Sequence, residues 1–252
     1  MTDLLAAAQA PVLAHLADAR TLLAFDFDGT LAPIVADREQ AAMRARTEQL
    51  LTRLCALYPC AVISGRSRDD LAGRLGRAPV PHLIGNHGIE PADDELACAR
   101  VVRRARPLLA LAVRRWPGME IEDKRLSLAV HYRHAVHRDA ARAAIDRMVA
   151  VLPVRLRVIP GKLVVNLVPA HAPHKGDALV AVRTAVAADM ALYLGDDDTD
   201  EDVFRLDQPQ RLVGVRVGRR AGSAARYFVR AQRDVDTLLE RLIALRTAVA
   251  DR

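Results

Sequence analysis

Lysine is what this sequence most lacks. Its 252 residues include 37 Lys and Arg, and only three are lysines: Lys124, Lys162 and Lys175. Arginine supplies the other 34. A compact ammonium does what a planar guanidinium cannot, so each lysine is a candidate for a defined task. Cysteine is scarce too. Cys55, Cys60 and Cys98 have no metal-binding spacing and make no disulfide framework. Aromatic residues are 4% of the chain and are not interleaved with basic ones, which argues against base stacking and nucleic acid. The net charge of +6 is accounted for by solvated helix faces, or more sharply by an anionic ligand. No run of about 18 uncharged apolar residues occurs, so no membrane span is expected. Residues 1–20 read as an amphipathic helix, without the basic start and apolar block of a signal peptide. A cytoplasmic protein is expected. No Gly-rich loop precedes a Lys, which excludes a P-loop kinase. Internal repeats and low-complexity tracts are absent.

What is present is a large apolar fraction, 51%, arranged in short runs between helical patterns. Such alternation predicts βαβ units and a parallel sheet. Strands are expected at 22–26, 61–64, 83–84, 191–194, 211–217 and 226–229. Helices are expected at 47–58 and 234–249, and a third ends at 185–189. The middle differs. Residues 126–132, 154–159 and 163–168 alternate apolar and polar, as antiparallel strands with one solvated face do. A helix at 138–151 lies among them, and a turn is expected at Pro160-Gly161. The fold class is therefore α/β: a Rossmann-like parallel-sheet core interrupted by an α+β insertion. The core is placed at 1–99 and 171–252, the insertion at 100–170.

The ends of the parallel strands carry the chemistry. In an open α/β sheet, ligands bind beyond the carboxyl ends of the strands. Here the first strand runs into Asp26-Phe27-Asp28, the second into Ser64-Gly65-Arg66, and the 191–194 strand into Gly195-Asp196-Asp197-Asp198. Each acid alone reads as a turn former or helix cap. Together, Asp26, Asp28 and Asp196 would repel at one rim unless a cation sat among them, and oxygen-only ligands favour Mg²⁺. Lys175 opens a helix, where its charge opposes the helix dipole. A phosphate would satisfy Lys175, the helix N-terminus and Ser64 at once.

DFDGTL (26–31), ISGR (63–66), HKGDAL (174–179) and GDDDTDED (195–202) resemble, in order and spacing, the four motifs of the haloacid-dehalogenase phosphatases. GNHGIE (85–90), EDKRLSLAVHYR (122–133) and PGKLVVNLVP (160–169) narrow the resemblance to the trehalose-phosphatase family. The resemblance implies an Mg²⁺-dependent hydrolysis of trehalose 6-phosphate through an aspartyl-phosphate, the last step of trehalose biosynthesis. In that picture Asp26 is the nucleophile and Asp28 the general acid and base. Asp26, the Asp28 backbone carbonyl and Asp196 hold the metal, with Asp200 supporting the metal's waters or Lys175. Ser64, Gly65 and Lys175 hold the phosphoryl group, and Thr30 fixes the turn. The insertion is implied to be a cap that excludes water and reads the sugar through Glu122, Lys124, Arg133, Lys162 and Asn166. The family usually has Glu and a basic residue where this chain has Asn166 and Val168. Another sugar phosphate, such as sucrose phosphate or a glycosyl-glycerate phosphate, is the alternative substrate. His174 reads as a partly exposed loop residue. The expected partner is a small sugar phosphate, with functional coupling to a trehalose-phosphate synthase left open.

Overall fold

The structure, a computed structural model, describes residues 1–91, 95–206 and 208–250. The chain divides into two compact units, Met1–Gly88 with His174–Arg252, and Ile89–Pro173.

The first unit opens with β1 (Thr2–Asp3), α1 (Ala10–Asp18), β2 (Thr21–Phe25), α2 (Ala45–Cys55), β3 (Cys60–Ile63), α3 (Arg68–Arg74) and β4 (His82–Ile84). The expected helix over 1–20 is thus a short edge strand followed by a nine-residue helix. Pro11 accounts for the late start, because its missing N–H and fixed φ suit the first helical turn and not a helix interior.

The second unit contains α4 (Glu95–Val113), β5 (Glu120–Asp123), β6 (Leu128–His131), α5 (Arg138–Ala150), β7 (Leu156–Gly161) and β8 (Val164–Pro169). Sequence patterning anticipates neither α4 nor β5. α4 starts at Glu95, ahead of the expected 100, and the unit spans Ile89–Pro173. Val102, Ala105, Leu109 and Val113 of α4 join Leu128, Val130, Val165 and Leu167 in one buried cluster, so α4 belongs with this sheet. Strand order is β5-β6-β8-β7, all antiparallel. The hairpin turn is Lys162-Leu163, not Pro160-Gly161, which pair with Val165 and Val164. Leu163 takes a positive φ of 61° as the second central residue of the turn, the position where a type II turn places one. Pro160 is tolerated in β7 because β7 is an edge strand.

The chain then returns to the first unit with α6 (Lys175–Ala185), β9 (Met190–Gly195), α7 (Glu201–Phe204), β10 (Leu212–Val217), β11 (Tyr227–Val229) and α8 (Asp234–Ala250). Among the described residues, seven strands form one sheet in the order β1-β11-β10-β9-β2-β3-β4, and every pairing is parallel. β2 lies centrally, and Thr21–Phe25 are buried on both faces. Leu23 and Phe25 pack with Leu16 of α1, Leu51 of α2 and Leu239 of α8. Leu22 and Ala24 pack with Leu179 of α6 and Val203 of α7. The first unit is therefore a Rossmann-like sheet between two helical layers, with β2, β3 and β9 adjacent and pointing the same way. No described helix is long and apolar enough to cross a membrane.

Candidate active site

The carboxyl ends of β2 and β9 meet first. The Asp26 amide donates to the Leu194 carbonyl at 2.8 Å, which fixes the residue just past β2 against the end of β9. One oxygen each of Asp26, Asp196 and Asp200 lie within 4.8 Å of one another. Two glycines make this approach feasible. A Cβ on Gly29, whose φ is +81°, would fall 2.1 Å from Asp196 Oδ2. A Cβ on Gly195 would fall 2.3 Å from the Asp200 carboxyl carbon.

Lys175 is buried, and its ammonium donates to Asp26 Oδ1 at 2.8 Å and Asp200 Oδ1 at 2.7 Å. Burial works against its charge, but Asp200 and Asp26 outweigh burial and hold it firmly protonated. It enters from the first residue of α6, whose cap is His174. The imidazole accepts from the Asp177 amide, and the Asp177 carboxylate accepts from the His174 amide. His174 is thus a helix cap, more committed than the loop position expected for it.

Asp200 is the hub. Besides Lys175, its Oδ1 accepts the Tyr193 hydroxyl at 2.6 Å, and its Oδ2 accepts the Asp197 amide at 2.8 Å. Tyr193 is fully buried in β9, and burial followed by the Asp200 charge raises its pKa well above the usual phenol value. Sequence reading passes over Tyr193. The available signal is a hydroxyl in an otherwise apolar strand, two residues before Gly195. Tyr193→Phe is expected to cost about 2 kcal/mol, the scale of a hydrogen bond to a charged group, in urea denaturation of the metal-free protein. Unchanged stability would mean that Asp200 does not need this donor.

One lysine does not balance three carboxylates. Burial, then Asp200 and Asp196, push the Asp26 carboxyl well above its usual range, against the pull of Lys175. Burial, with Asp200 and Asp197, raises Asp196 to about 7. Asp196 Oδ1 is buried and has no hydrogen-bond partner among the described residues. An unpartnered buried oxygen, an oxygen-only donor set and an excess of negative charge all fit a hard divalent cation such as Mg²⁺.

Asp28 is turned elsewhere. Its carboxylate accepts two bonds from Arg66, from Nε at 2.7 Å and Nη2 at 2.8 Å. Arg66 is itself held by Asp70 at 2.8 Å and the Arg38 carbonyl at 2.9 Å, with its guanidinium 5.7 Å from the Phe27 ring. Asp28 is therefore outside the carboxylate cluster through its side chain, and Asp200 is inside it. Ser64 is buried just past β3, where its hydroxyl accepts the Arg66 amide at 3.2 Å; Gly65 follows, half-buried. Thr30 is buried, and its hydroxyl has no hydrogen-bond partner among the described residues.

The residues expected to read a sugar lie in the second unit. Glu122, Ala129, Asn166 and Ile159 share one row across the sheet, so their side chains share a face. Opposite that face is the apolar one covered by α4 and α5. Glu122 bonds the His131 ring at 2.9 Å, and Lys124 reaches Asn166 Oδ1 at 3.5 Å. Lys162 is exposed in the hairpin turn, and Arg133 is half-buried in the segment after β6. Val168 is fully buried with Ile159 and Leu126, so an apolar residue has a packing task there.

A family model described as trehalose-phosphatase matches residues 24–233. A trehalose-phosphate phosphatase of Mycobacterium avium (strain 104) is 38% identical over 194 residues, covering 71% of this chain and 49% of that protein. A bifunctional trehalose-6-phosphate synthase/phosphatase of Thermoproteus tenax is 33% identical over 236 residues, covering 88% of this chain and 32% of that one. The chain spans about half the length, or less, of these relatives. Among solved structures, an Aspergillus fumigatus trehalose-6-phosphate phosphatase is 26% identical with a TM-score of 0.64, covering 97% of this chain and 99% of that one. The C-terminal domain of a C. albicans trehalose-6-phosphate phosphatase has a TM-score of 0.76 at 23% identity, covering 93% and 97%, and shares the fold.

Proposed function

The chain belongs to the trehalose-phosphatase family, and from that premise we propose that it is a magnesium-dependent phosphatase releasing phosphate from trehalose 6-phosphate. The observation that carries this reading is the buried Asp26–Lys175–Asp200 cluster beside the unpartnered oxygen of Asp196. Asp26 attacks phosphorus with a carboxylate oxygen, and the phosphorus–oxygen bond to the sugar breaks. Asp28 leaves Arg66, takes up a proton from solvent and delivers it to the leaving sugar oxygen. Water then attacks the aspartyl-phosphate and gives its proton to Asp28. The bond between Asp26 and phosphorus breaks, and phosphate departs. Ser64, Gly65 and Lys175 hold the phosphoryl oxygens throughout. Asp26, Asp196 and the Asp28 carbonyl would hold Mg²⁺, with Asp200 beside them; when bound, the ion offsets the repulsion between carboxylate and phosphate. Phosphate release from trehalose 6-phosphate, with and without Mg²⁺, tests the reading directly.

The unit 89–173 takes the part of a cap. Its polar sheet face supports a sugar-reading role for Glu122, Lys124 and Asn166, with Arg133 and Lys162 contributing. If Lys124 and Lys162 bind sugar hydroxyls, Lys124→Ala or Lys162→Ala lowers kcat/KM for trehalose 6-phosphate by roughly 10- to 100-fold. Hydrolysis of p-nitrophenyl phosphate, which offers no sugar, stays nearly unchanged, whereas Lys175→Ala impairs both substrates. Equal losses on both substrates in the Lys124 and Lys162 variants would remove sugar reading from them. The uncharged Asn166 beside Lys124 favours a second reading, another sugar phosphate. A panel including sucrose phosphate and a glycosyl-glycerate phosphate decides between the two. The bifunctional Thermoproteus tenax relative supports functional coupling to a trehalose-phosphate synthase.

A further inference from the structure

The segment between β9 and α7 has a difficult local problem. Four of its five residues, Asp196, Asp197, Asp198 and Asp200, are acids. Two of them bring carboxylates close to Asp26 or to each other, yet Asp196 keeps an oxygen free of any hydrogen bond among the described residues. Left to itself, such a loop would relax so that its acids separate and turn to water. Something has to fix its backbone.

Arg216 does so. Parallel pairing sets Arg216 of β10 beside Gly195, the last residue of β9. Its side chain is buried and runs under the loop. Nη1 donates to the Asp197 carbonyl at 3.0 Å and to Glu201 Oε1 at 3.1 Å, while Nη2 donates to the Asp196 carbonyl. Glu201 is buried too, and its Oε2 accepts the Ala224 amide at 2.8 Å. The guanidinium therefore grips two successive carbonyls from one side, and the Asp200 carboxylate grips the Asp197 amide at 2.8 Å. With Gly195 held in β9 by its pairing to β10 and the 196–197 peptide plane held by Arg216, the direction in which the Asp196 side chain leaves the backbone is set. A flat fork with several donors suits this task, and a single ammonium does not.

We propose that Arg216, seated by Glu201, is a positioning residue for the cation site: it holds the 196–197 backbone so that the Asp196 carboxylate stays aimed at the metal. The proposal rests on the reading above that Asp26 and Asp196 hold a divalent cation. Neither residue touches the reacting atoms. They act through the loop, as residues behind metal ligands do when they orient the ligand.

The test is Mn²⁺ binding to the full chain, measured by electron paramagnetic resonance as free against bound ion, together with the Tm of the metal-free protein. Arg216→Lys keeps the charge but cannot reach both carbonyls and Glu201. Its Mn²⁺ Kd is expected to weaken roughly 10- to 100-fold. Glu201→Gln is the gentler variant, because its one oxygen can serve either Arg216 or Ala224 but not both. A loss of about threefold or more in Mn²⁺ affinity is expected there, and this variant decides the matter if Arg216→Lys does not fold. A purely structural role predicts a lower metal-free Tm with an unchanged Kd in both variants, and that result overturns the proposal. If wild-type protein bound no Mn²⁺, the metal reading itself would fall, and this proposal with it. Tight binding by wild type and equally tight binding by folded variants would remove the Arg216 role alone.

Discussion

Asp26→Asn is expected to lower phosphate release from trehalose 6-phosphate by at least about a thousandfold, equivalent to ~4 kcal/mol of barrier. An amide oxygen cannot attack phosphorus to give a mixed anhydride, so the two-step route closes. The fold should survive the change. The amide oxygen of the variant side chain can still accept from Lys175, and removing one of three crowded carboxylates relieves the burial of charge and the repulsion that together raise the Asp26 carboxyl. Circular dichroism and Tm of the variant separate loss of chemistry from loss of fold. The wild type should also bind beryllium fluoride in the presence of Mg²⁺, as a mimic of the aspartyl-phosphate, and the variant should not. Retention of more than about a tenth of kcat, a barrier change under ~1.4 kcal/mol, would mean that Asp26 is not the nucleophile.

The parallel sheet was legible because its strands are short apolar runs buried on both faces, with turn residues at their ends; 22–26 against the observed Thr21–Phe25 is a shift of one residue. The acids at the strand ends were legible together and not singly, since each alone reads as a turn former or helix cap but several at one rim of one sheet would repel. What escaped has a physical cause in each case. α4 carries its buried positions among many arginines and a central Pro107, which blur its period. β5, EIED, is mostly charged because one face of its sheet is polar, so neither apolar content nor alternation marks it. The turn at Lys162-Leu163 looks wrong locally: the residues that favour turns, Pro160 and Gly161, lie before it, and an edge strand absorbs them. Tyr193 and Arg216 were invisible because their roles depend on partners met only in space. Arg216 is one of 34 arginines, and only the register with Gly195 distinguishes it. The Asp28–Arg66 pair is a middle case. Both residues stand in the motifs, but the pairing comes from adjacent strands β2 and β3.

Removal of divalent cations is expected to abolish phosphate release, and added Mg²⁺ to restore it, with a pH signature to which Asp196 contributes. In the metal-free protein, burial and the neighbouring acids raise this carboxyl from its ordinary 3.8 to about 7. The native state thus keeps a proton that the unfolded chain has already lost. By linkage, stability tied to this neutral group is fully present below about 3.8, and it is lost as pH rises from there through about 7. Mg²⁺ and that proton compete for the same oxygens. Below pH 6 the ion must displace the proton, so the rise in Tm on adding Mg²⁺ should be small. The rise should grow as pH passes through 7 and level off above about 8, where the carboxylate is already charged and ligand binding adds its full mass-action term. Asp196→Asn removes the competing proton together with the charge. Its Mg²⁺-induced Tm rise should be weak at every pH, and its phosphate release should fall at least about a hundredfold, as expected when a metal ligand loses its charge. Thermal scans of wild type and Asp196→Asn from pH 5 to 9, with and without Mg²⁺, make the comparison. A wild-type Tm rise that did not vary with pH, or one that persisted in Asp196→Asn, would show that the ion is not held by this carboxylate; full activity in excess chelator would show that no ion is needed.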